Sequence, residues 1–315
     1  MSTIEACTDI HLNLAGRRTG KVRVSYDLDD HRRLFVTTDR LSAFDNIVAA
    51  VPFKGQVLNE LAAWWFRSTT DIVANHVIEV PDPNVLIART AAPLLVEVVV
   101  RGVMTGSTST SLWYQYSHGK RSMYGYSFKD GISKNSPLPH AIITPTTKGD
   151  AGAHDEPLSC AEVIERGLVE ESLWNRIQEI ALSLFARGQA TARAAGLLLA
   201  DTKYEFGLDQ DGHLMIIDEM HTPDSSRFWE LGTFADRVSR GQEPESLDKE
   251  PIRLALDALG YRGDGPPPQL DNQVISDTST RYITAFERLT GEPFRHGTYP
   301  IQERVETALR KRAIL

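Results

Sequence analysis

Apolar and polar positions alternate strictly over residues 21–28. Val22, Val24, Tyr26 and Leu28 fall on one face, and Lys21, Arg23, Ser25 and Asp27 on the other. A period of two predicts a β-strand with one polar face. Asp29-Asp30 supplies a turn and residues 34–38 return as a second strand, so the first element is a hairpin, preceded by Gly16 and Gly20. A polar loop over residues 39–45 leads through Pro52-Phe53-Lys54-Gly55 into a helix over 56–67, with Leu58, Leu61, Ala62 and Trp65 on one stripe. Strands follow at 76–80, 85–90 and 94–100, the last apolar except for Glu97. Residues 112–136 lack periodicity and read as a hairpin or flap. Residues 137–159 read as a long proline-punctuated loop. Ser172 is placed to cap a helix that runs to Ala195 and stops at Gly196, burying Leu173, Ile177, Ile180, Leu184 and Phe185. Helical stripes near Phe234 and over 252–259, 276–289 and 301–313 close the chain, and there is no internal repeat.

The stretch 196–229, GLLLADTKYEFGLDQDGHLMIIDEMHTPDSSRFW, organises the rest. Runs at 197–206 and 213–219, joined through Asp211-Gly212, predict a β-hairpin. Asp201, Lys203 and Glu205 share one face; Thr202, Tyr204 and Phe206 share the other. With Leu208 opposite His213, Asp218 falls opposite Lys203 and diagonal to Glu205, about 7 to 8 Å away. Carboxylates and an ammonium then converge at the end of a strand apolar enough to be buried. Buried acids require a cation or donors. Magnesium suits them, because it takes one or two carboxylates and shares its remaining positions with water and phosphate. The run from Thr222 to Arg227 adds hydroxyls, an acid and a guanidinium, groups that suit a ligand carrying phosphate or carboxylate together with an amine.

Two other segments can meet an anion. The glycine-flanked hairpin with Lys21 and Arg23 can lie over a triphosphate or be an ordinary solvated hairpin. No G-x-x-x-x-G-K-[ST] or G-x-G-x-x-G loop is present. In RGVMTGS, from Arg101 to Ser107, two glycines allow close backbone approach to an anion or make a plain turn. Composition narrows the class of partner. The 315 residues carry 34 basic and 42 acidic side chains, a formal charge of −8, which argues against a nucleic-acid surface but leaves room for a local basic pocket. The two cysteines, Cys7 and Cys160, have no metal-ligand spacing. The N-terminus lacks a leader pattern and no run of about 18 apolar residues occurs, so a cytoplasmic protein without membrane contact is expected.

Seven blocks, GKVR, DRLSAFD, PFKGQVLN, VVVRGVMTGS, IITPTTK with HDE, LLLADTKYEFG and IIDEMHTPDSSRFW, closely resemble in order and spacing the motifs of SAICAR synthetases, over residues 20–291. The longer form of the family, the one found in yeast, is the nearer match. The resemblance implies an α+β fold of two lobes, related to the ATP-grasp and kinase folds, with antiparallel sheets, flanking helices and ATP between the lobes. Residues 1–110 form an N-terminal lobe with a phosphate-covering hairpin in this reading, and residues 111–315 a C-terminal lobe.

The implied reaction joins the carboxylate of carboxyaminoimidazole ribonucleotide (CAIR) to L-aspartate through an acyl phosphate, with ATP and Mg²⁺, in de novo purine biosynthesis. The implied partners are these small molecules, and the protein a monomer or small homo-oligomer. Carried over by motif, Lys21 and Arg23 hold ATP phosphates, Glu205 and Asp218 bind magnesium, and Lys203 neutralises charge at the transferred group. Asp201, Arg227, Arg101, Ser107, Asp224 and Ser226 hold CAIR or aspartate, while Asp39, Ser42, Lys148 and Asp155 complete the nucleotide pocket. The chain departs from the family pattern at Val24-Ser25, at Pro139-His140-Ala141, at Pro157 and at His221. His140 and His221 are expected to border the substrate pocket. Two alternatives remain: a paralogous ATP-dependent amide ligase with changed substrates, and a nucleotide-binding protein or phosphotransferase without ligase activity. The intact acids and cations argue against the second.

Overall fold

The computed structural model describes residues 5–44, 46–149 and 156–315. In chain order come β1 (Arg18–Thr19), β2 (Arg23–Asp27), β3 (Arg32–Thr37), β4 (Arg40–Ala43), β5 (Asn46–Ala50) and α1 (Lys54–Ser68). β6 (Val77–Asp82), β7 (Val85–Arg89), β8 (Ala92–Val103), α2 (Leu112–Ser117), β9 (Ser122–Met123) and β10 (Tyr126–Ser127) follow. The chain continues through β11 (Pro137–Ile143), β12 (Thr146–Thr147), α3 (Cys160–Glu165), α4 (Glu171–Ala194), β13 (Leu197–Leu208), β14 (Leu214–Ile217) and β15 (Ser226–Glu230). It ends in α5 (Leu231–Ser239), α6 (Glu250–Ala258), α7 (Asn272–Thr290) and α8 (Ile301–Arg310). Among the described residues no helix is long and apolar enough to cross a membrane.

Two antiparallel sheets carry the α+β architecture. The first has the order β1-β2-β3-β7-β6 and the second β11-β8-β13-β14, with β12 on β8 and β15 on β13. Alternation along β2 turns Val24 and Tyr26 into a fully buried face. Ile301, Val305 and Leu309 of α8 join that core, so the last helix closes the first sheet. The larger core lies between β8 and β13 on one side and α1, α4 and α7 on the other, and includes Trp65, Trp174, Phe185, Tyr204 and Tyr282. A parallel bridge from Asn75 to Ile216 ties the start of β6 to the second sheet.

Several local expectations are corrected. The polar loop expected from residue 39 is a strand, β4, paired with β5; Asp45 lies outside the described residues. Residues 112–136 fold into α2 and the small β9–β10 ladder. In the expected long loop, β11 and β12 both pair with β8, whose backbone groups need partners on that side. β11 is an edge strand, and this is where Pro137 and Pro139 are tolerated. Glu170, not Ser172, caps α4: its carboxylate accepts from the Leu173 amide at 3.1 Å.

His221 is not at a pocket wall. It is fully buried, its Nε2 is 2.5 Å from the Tyr204 hydroxyl, and its ring meets Trp65 edge-on at 4.5 Å. Burial pushes its pKa down to about 3, so the ring is neutral. His140 is exposed on β11. Gly188, in the middle of α4, gives His221 its space, since a Cβ there would lie 2.9 Å from His221 Nδ1 and 2.8 Å from Leu199 Cδ2. Gly188→Ala should therefore destabilise the protein by roughly 1–3 kcal/mol through overpacking, although alanine is favoured in helices by about 1 kcal/mol. A urea midpoint equal to or above that of the wild type would contradict this packing.

Candidate active site

β13 carries Asp201, Lys203 and Glu205 through the middle of the second sheet, with Glu205 directly opposite Glu97 of β8. Facing carboxylates repel. Lys203 lies between them: Nζ donates to Glu97 Oε1 and to Glu205 Oε1, both at 2.6 Å. Burial alone would lower the pKa of this ammonium, but Glu205, Glu97 and Asp218 outweigh it and raise the pKa well above the usual lysine range. Lys148 donates to the second oxygen of Glu205.

The β13–β14 register is one residue from the expected one. Leu208 pairs with Leu214 and Glu205 with Ile217. A slip of one turns side chains to the opposite face. Asp218, however, follows the last paired residue with φ of 69°, and its Oδ1 meets Arg23 NH1 of β2 at 2.5 Å. Glu219 Oε2 is 3.8 Å from Arg23 NH2 and accepts from the Thr222 hydroxyl at 2.6 Å. Burial opposes ionisation of Asp218, yet Arg23, then Lys203 and Lys148, hold its carboxyl down at about 2. Burial raises the pKa of Glu219 against the pull of Arg23.

Three cavities lie in series beside this network. The first, of about 620 Å³, is lined by Lys21, Arg23, Ser42, Lys148, Lys203, Glu205, Asp218 and Asp224. Asp224, Ser225 and Lys249 also line a second cavity of about 70 Å³, together with Asp201, Ser226 and Arg227. Arg227 also lines the third, of about 310 Å³, where Ser107, Lys134 and Arg281 add polar and cationic groups. One trough thus runs from the β2 hairpin to the Ser107 turn. Within it Asp201 accepts from Arg227 at 2.5 Å and from Arg101 at 3.2 Å, while the Ser226 and Thr202 hydroxyls pair at 2.7 Å.

Two predicted residues are placed elsewhere. Arg101 is buried behind Asp201, with Nε on the Thr144 hydroxyl at 2.8 Å. Asp39 is not a pocket residue: it is fully buried and accepts from the Cys7 amide at 2.9 Å, the Gly55 amide at 3.0 Å and the Tyr299 hydroxyl at 2.7 Å. With its oxygens occupied by protein donors, it ties the N-terminal segment to α1. Asp155 lies outside the described residues. Sequence reasoning missed Lys249, which belongs to no periodic element. It also noted Glu97 only as an acid placed mid-strand in an apolar run. Among the described residues, three metal-ligating side chains gather within 4.8 Å only at the β13–β14 turn, as Asp209, Asp211 and His213.

Comparison with known proteins places these features in a family. The SAICAR synthetase family model matches residues 17–268. The phosphoribosylaminoimidazole-succinocarboxamide synthase of Legionella pneumophila (strain Lens) is 46% identical over 294 residues, 93% of this chain and 93% of that one. Among solved structures, the SAICAR synthase from Saccharomyces cerevisiae complexed with SAICAR is similar with a TM-score of 0.78 and 30% identity, covering 92% of this chain and 100% of that chain. A type-2 SAICAR synthetase in complex with ADP gives a TM-score of 0.68 at 25% identity, covering 89% and 100%.

The Arg23–Asp218 pair has a defined pH signature. Asp218 stays ionised in the fold down to about pH 2, whereas an unfolded aspartate titrates near 4. The pair's stabilisation is therefore complete above that unfolded value and is lost as pH falls through the folded one. Arg23→Met should cost roughly 2 kcal/mol at neutral pH, with the deficit shrinking in acid. Urea midpoints measured across pH check this, and a deficit that does not change with pH contradicts it.

Proposed function

The chain belongs to the SAICAR synthetase family, and from that premise we propose that it joins the carboxylate of CAIR to L-aspartate with ATP, giving SAICAR, ADP and phosphate. The observation that carries this reading is the trough. Cations and carboxylates gather at the β2 end, a serine and arginines at the other, and Asp224, Lys249 and Arg227 stand at the junctions. Nucleotide phosphates suit the first end and a ribosyl phosphate the second, so the reacting carboxylate and phosphoryl group meet between them. Solved relatives described in complex with ADP and with SAICAR support a nucleotide and this product as ligands.

A carboxylate is a poor electrophile. The γ-phosphoryl goes to it first, releasing ADP, and the aspartate amine then displaces phosphate from the acyl carbon. No protein nucleophile is needed, because positioning and charge stabilisation suffice. Lys21 and Arg23 meet phosphate oxygens, with Ser42 and Lys148 completing that end, and Lys203 offsets charge at the transferred group. Ser107 and Arg227 take the ribosyl phosphate. Asp201, clamped between Arg101 and Arg227, sets the plane of the Arg227 guanidinium, so Arg101 acts from behind. Asp224, Ser226 and Lys249 face the incoming amino acid.

Glu205 and Asp218 would hold magnesium, whose chemistry is to neutralise phosphate charge. The donor set fits in kind, two hard carboxylates for an ion that completes its shell with water and phosphate; the ion would take the place of Lys203, Lys148 and Arg23 on their oxygens. We place the reaction in the cytoplasm, on small molecules alone, in a monomer or small homo-oligomer. Cys7 and Cys160 are unpaired, as a reducing compartment favours. His221, one departure from the family pattern, packs in the core, which removes one argument for a paralogue with changed substrates.

ADP release measured with each substrate omitted in turn should require both CAIR and aspartate; release indifferent to either contradicts the ligase reading. Glu205→Gln and Asp218→Asn should each lower turnover on the order of 10²-fold or more with the far-ultraviolet spectrum retained. Wild-type rates in both variants would remove the metal assignment.

A further inference from the structure

Lys54, the first residue of α1, is fully buried. Fully buried lysines are rare unless paired. Its Nζ lies 2.8 Å from Asp224 Oδ2, and among the described residues no other carboxylate comes within 4 Å of it. Asp224 Oδ1 accepts from the Tyr282 hydroxyl of α7 at 2.6 Å. Lys54 lines none of the three cavities, whereas Asp224 lines two of them.

The backbone around Lys54 is held in place for this contact. Phe53, just before α1, has φ of 66°, a left-handed conformation that costs a non-glycine residue about 1–3 kcal/mol. Its amide donates to the Tyr299 hydroxyl at 2.8 Å, and the next amide after Lys54, that of Gly55, donates to Asp39 at 3.0 Å. Gly55 sits so close to the end of β3 that a Cβ would clash with the Thr37 carbonyl oxygen and lie 2.8 Å from that of Thr38, the next residue. The first turn of α1 therefore cannot rotate away, and the lysine side chain is directed at Asp224.

From these contacts we infer that Lys54 is a positioning residue for ligation: its buried ammonium fixes Asp224 as an ionised carboxylate at the partition of the trough, where Asp224 accepts an N–H of the incoming amino acid's amine. The inference rests on the functional reading above. Among the described residues, Asp201, Arg227, Asp248 and Arg253 share the small cavity with Asp224, and four groups act on it most directly. Lys54 and Lys249 stabilise its anion, the Tyr282 hydroxyl donates to it, and Glu219 stands opposite as a like charge. Burial alone would raise the Asp224 pKa, but Lys54 and then Lys249 bring it down to about 2. Without Lys54, burial is opposed more weakly and the carboxyl takes up a proton at higher pH.

The test uses the full chain as Lys54→Met, Asp224→Asn and the double variant Lys54→Met/Asp224→Asn. In unfolding experiments at neutral pH, Lys54→Met should be the less stable single variant, and adding Asp224→Asn should restore part of the loss, because a buried carboxylate without its cation costs more than an amide. The deficit of Lys54→Met should grow as pH rises through the raised Asp224 pKa. In turnover, Lys54→Met should raise the KM for aspartate, lower kcat/KM roughly a hundredfold and add an acid limb above that of the wild type, while the KM for ATP holds. Additive stabilities overturn the pairing. Coupled stabilities with an unchanged pH profile, or with all KM values raised alike, overturn the positioning role. A wild-type enzyme that turns over neither CAIR nor aspartate defeats the functional reading instead, and the unfolding cycle, which needs no substrate, still decides the pair.

Discussion

Burying charge inside a sheet is the constraint on which this molecule is arranged. β13 takes two acids and a lysine through the centre of the second sheet, and β8 adds Glu97 directly across from Glu205. Each of these charges is tolerable only beside an opposite one. Lys203 answers two carboxylates, Arg23 reaches from the other sheet to a third, and Asp201 is shared by two guanidiniums. The partners come from elements distant in sequence, so the electrostatic network also docks the first sheet against the second. A site held this way is pre-organised: its cations are already in place before the phosphate charge of the proposed reaction would arrive.

The first turn of α1 joins structural and chemical roles. Asp39 gathers the N-terminal segment, the helix start and Tyr299 on one side. Lys54, one residue before Gly55, points to the trough on the other. Rigidity on the buried side thus becomes accuracy on the chemical side, since an acid between two cavities is useful only if it does not move.

What was legible in the sequence is what local periodicity and local turn chemistry encode. The β13–β14 hairpin announces itself through alternation and Asp211-Gly212, and the β2 face through Val24 and Tyr26. β11 and β12 were not legible, because their reason for being strands is β8, a distant partner. The register slip is not legible because the closed turn over 209–213 sets it, with the Asp209 amide donating to the His213 carbonyl. Asp39 looked like a ligand-binding acid, since a carboxylate in a motif reads the same whether its donors come from a ligand or from the protein. His221 looked like a pocket residue for want of knowing that Gly188 makes room for it.

The closing of the first sheet by α8 has a consequence for how the chain is made. Val24, Leu34 and Val36 share a core with Ile301, Val305 and Leu309, which are synthesised after both sheets and α7. During vectorial synthesis the N-terminal hairpin therefore waits with an open apolar face while most of the chain is still being translated, and its core is sealed only after the second sheet and α7 have been made. The nascent hairpin is a segment in need of chaperone cover, and the β2 end of the trough is completed only after the second sheet.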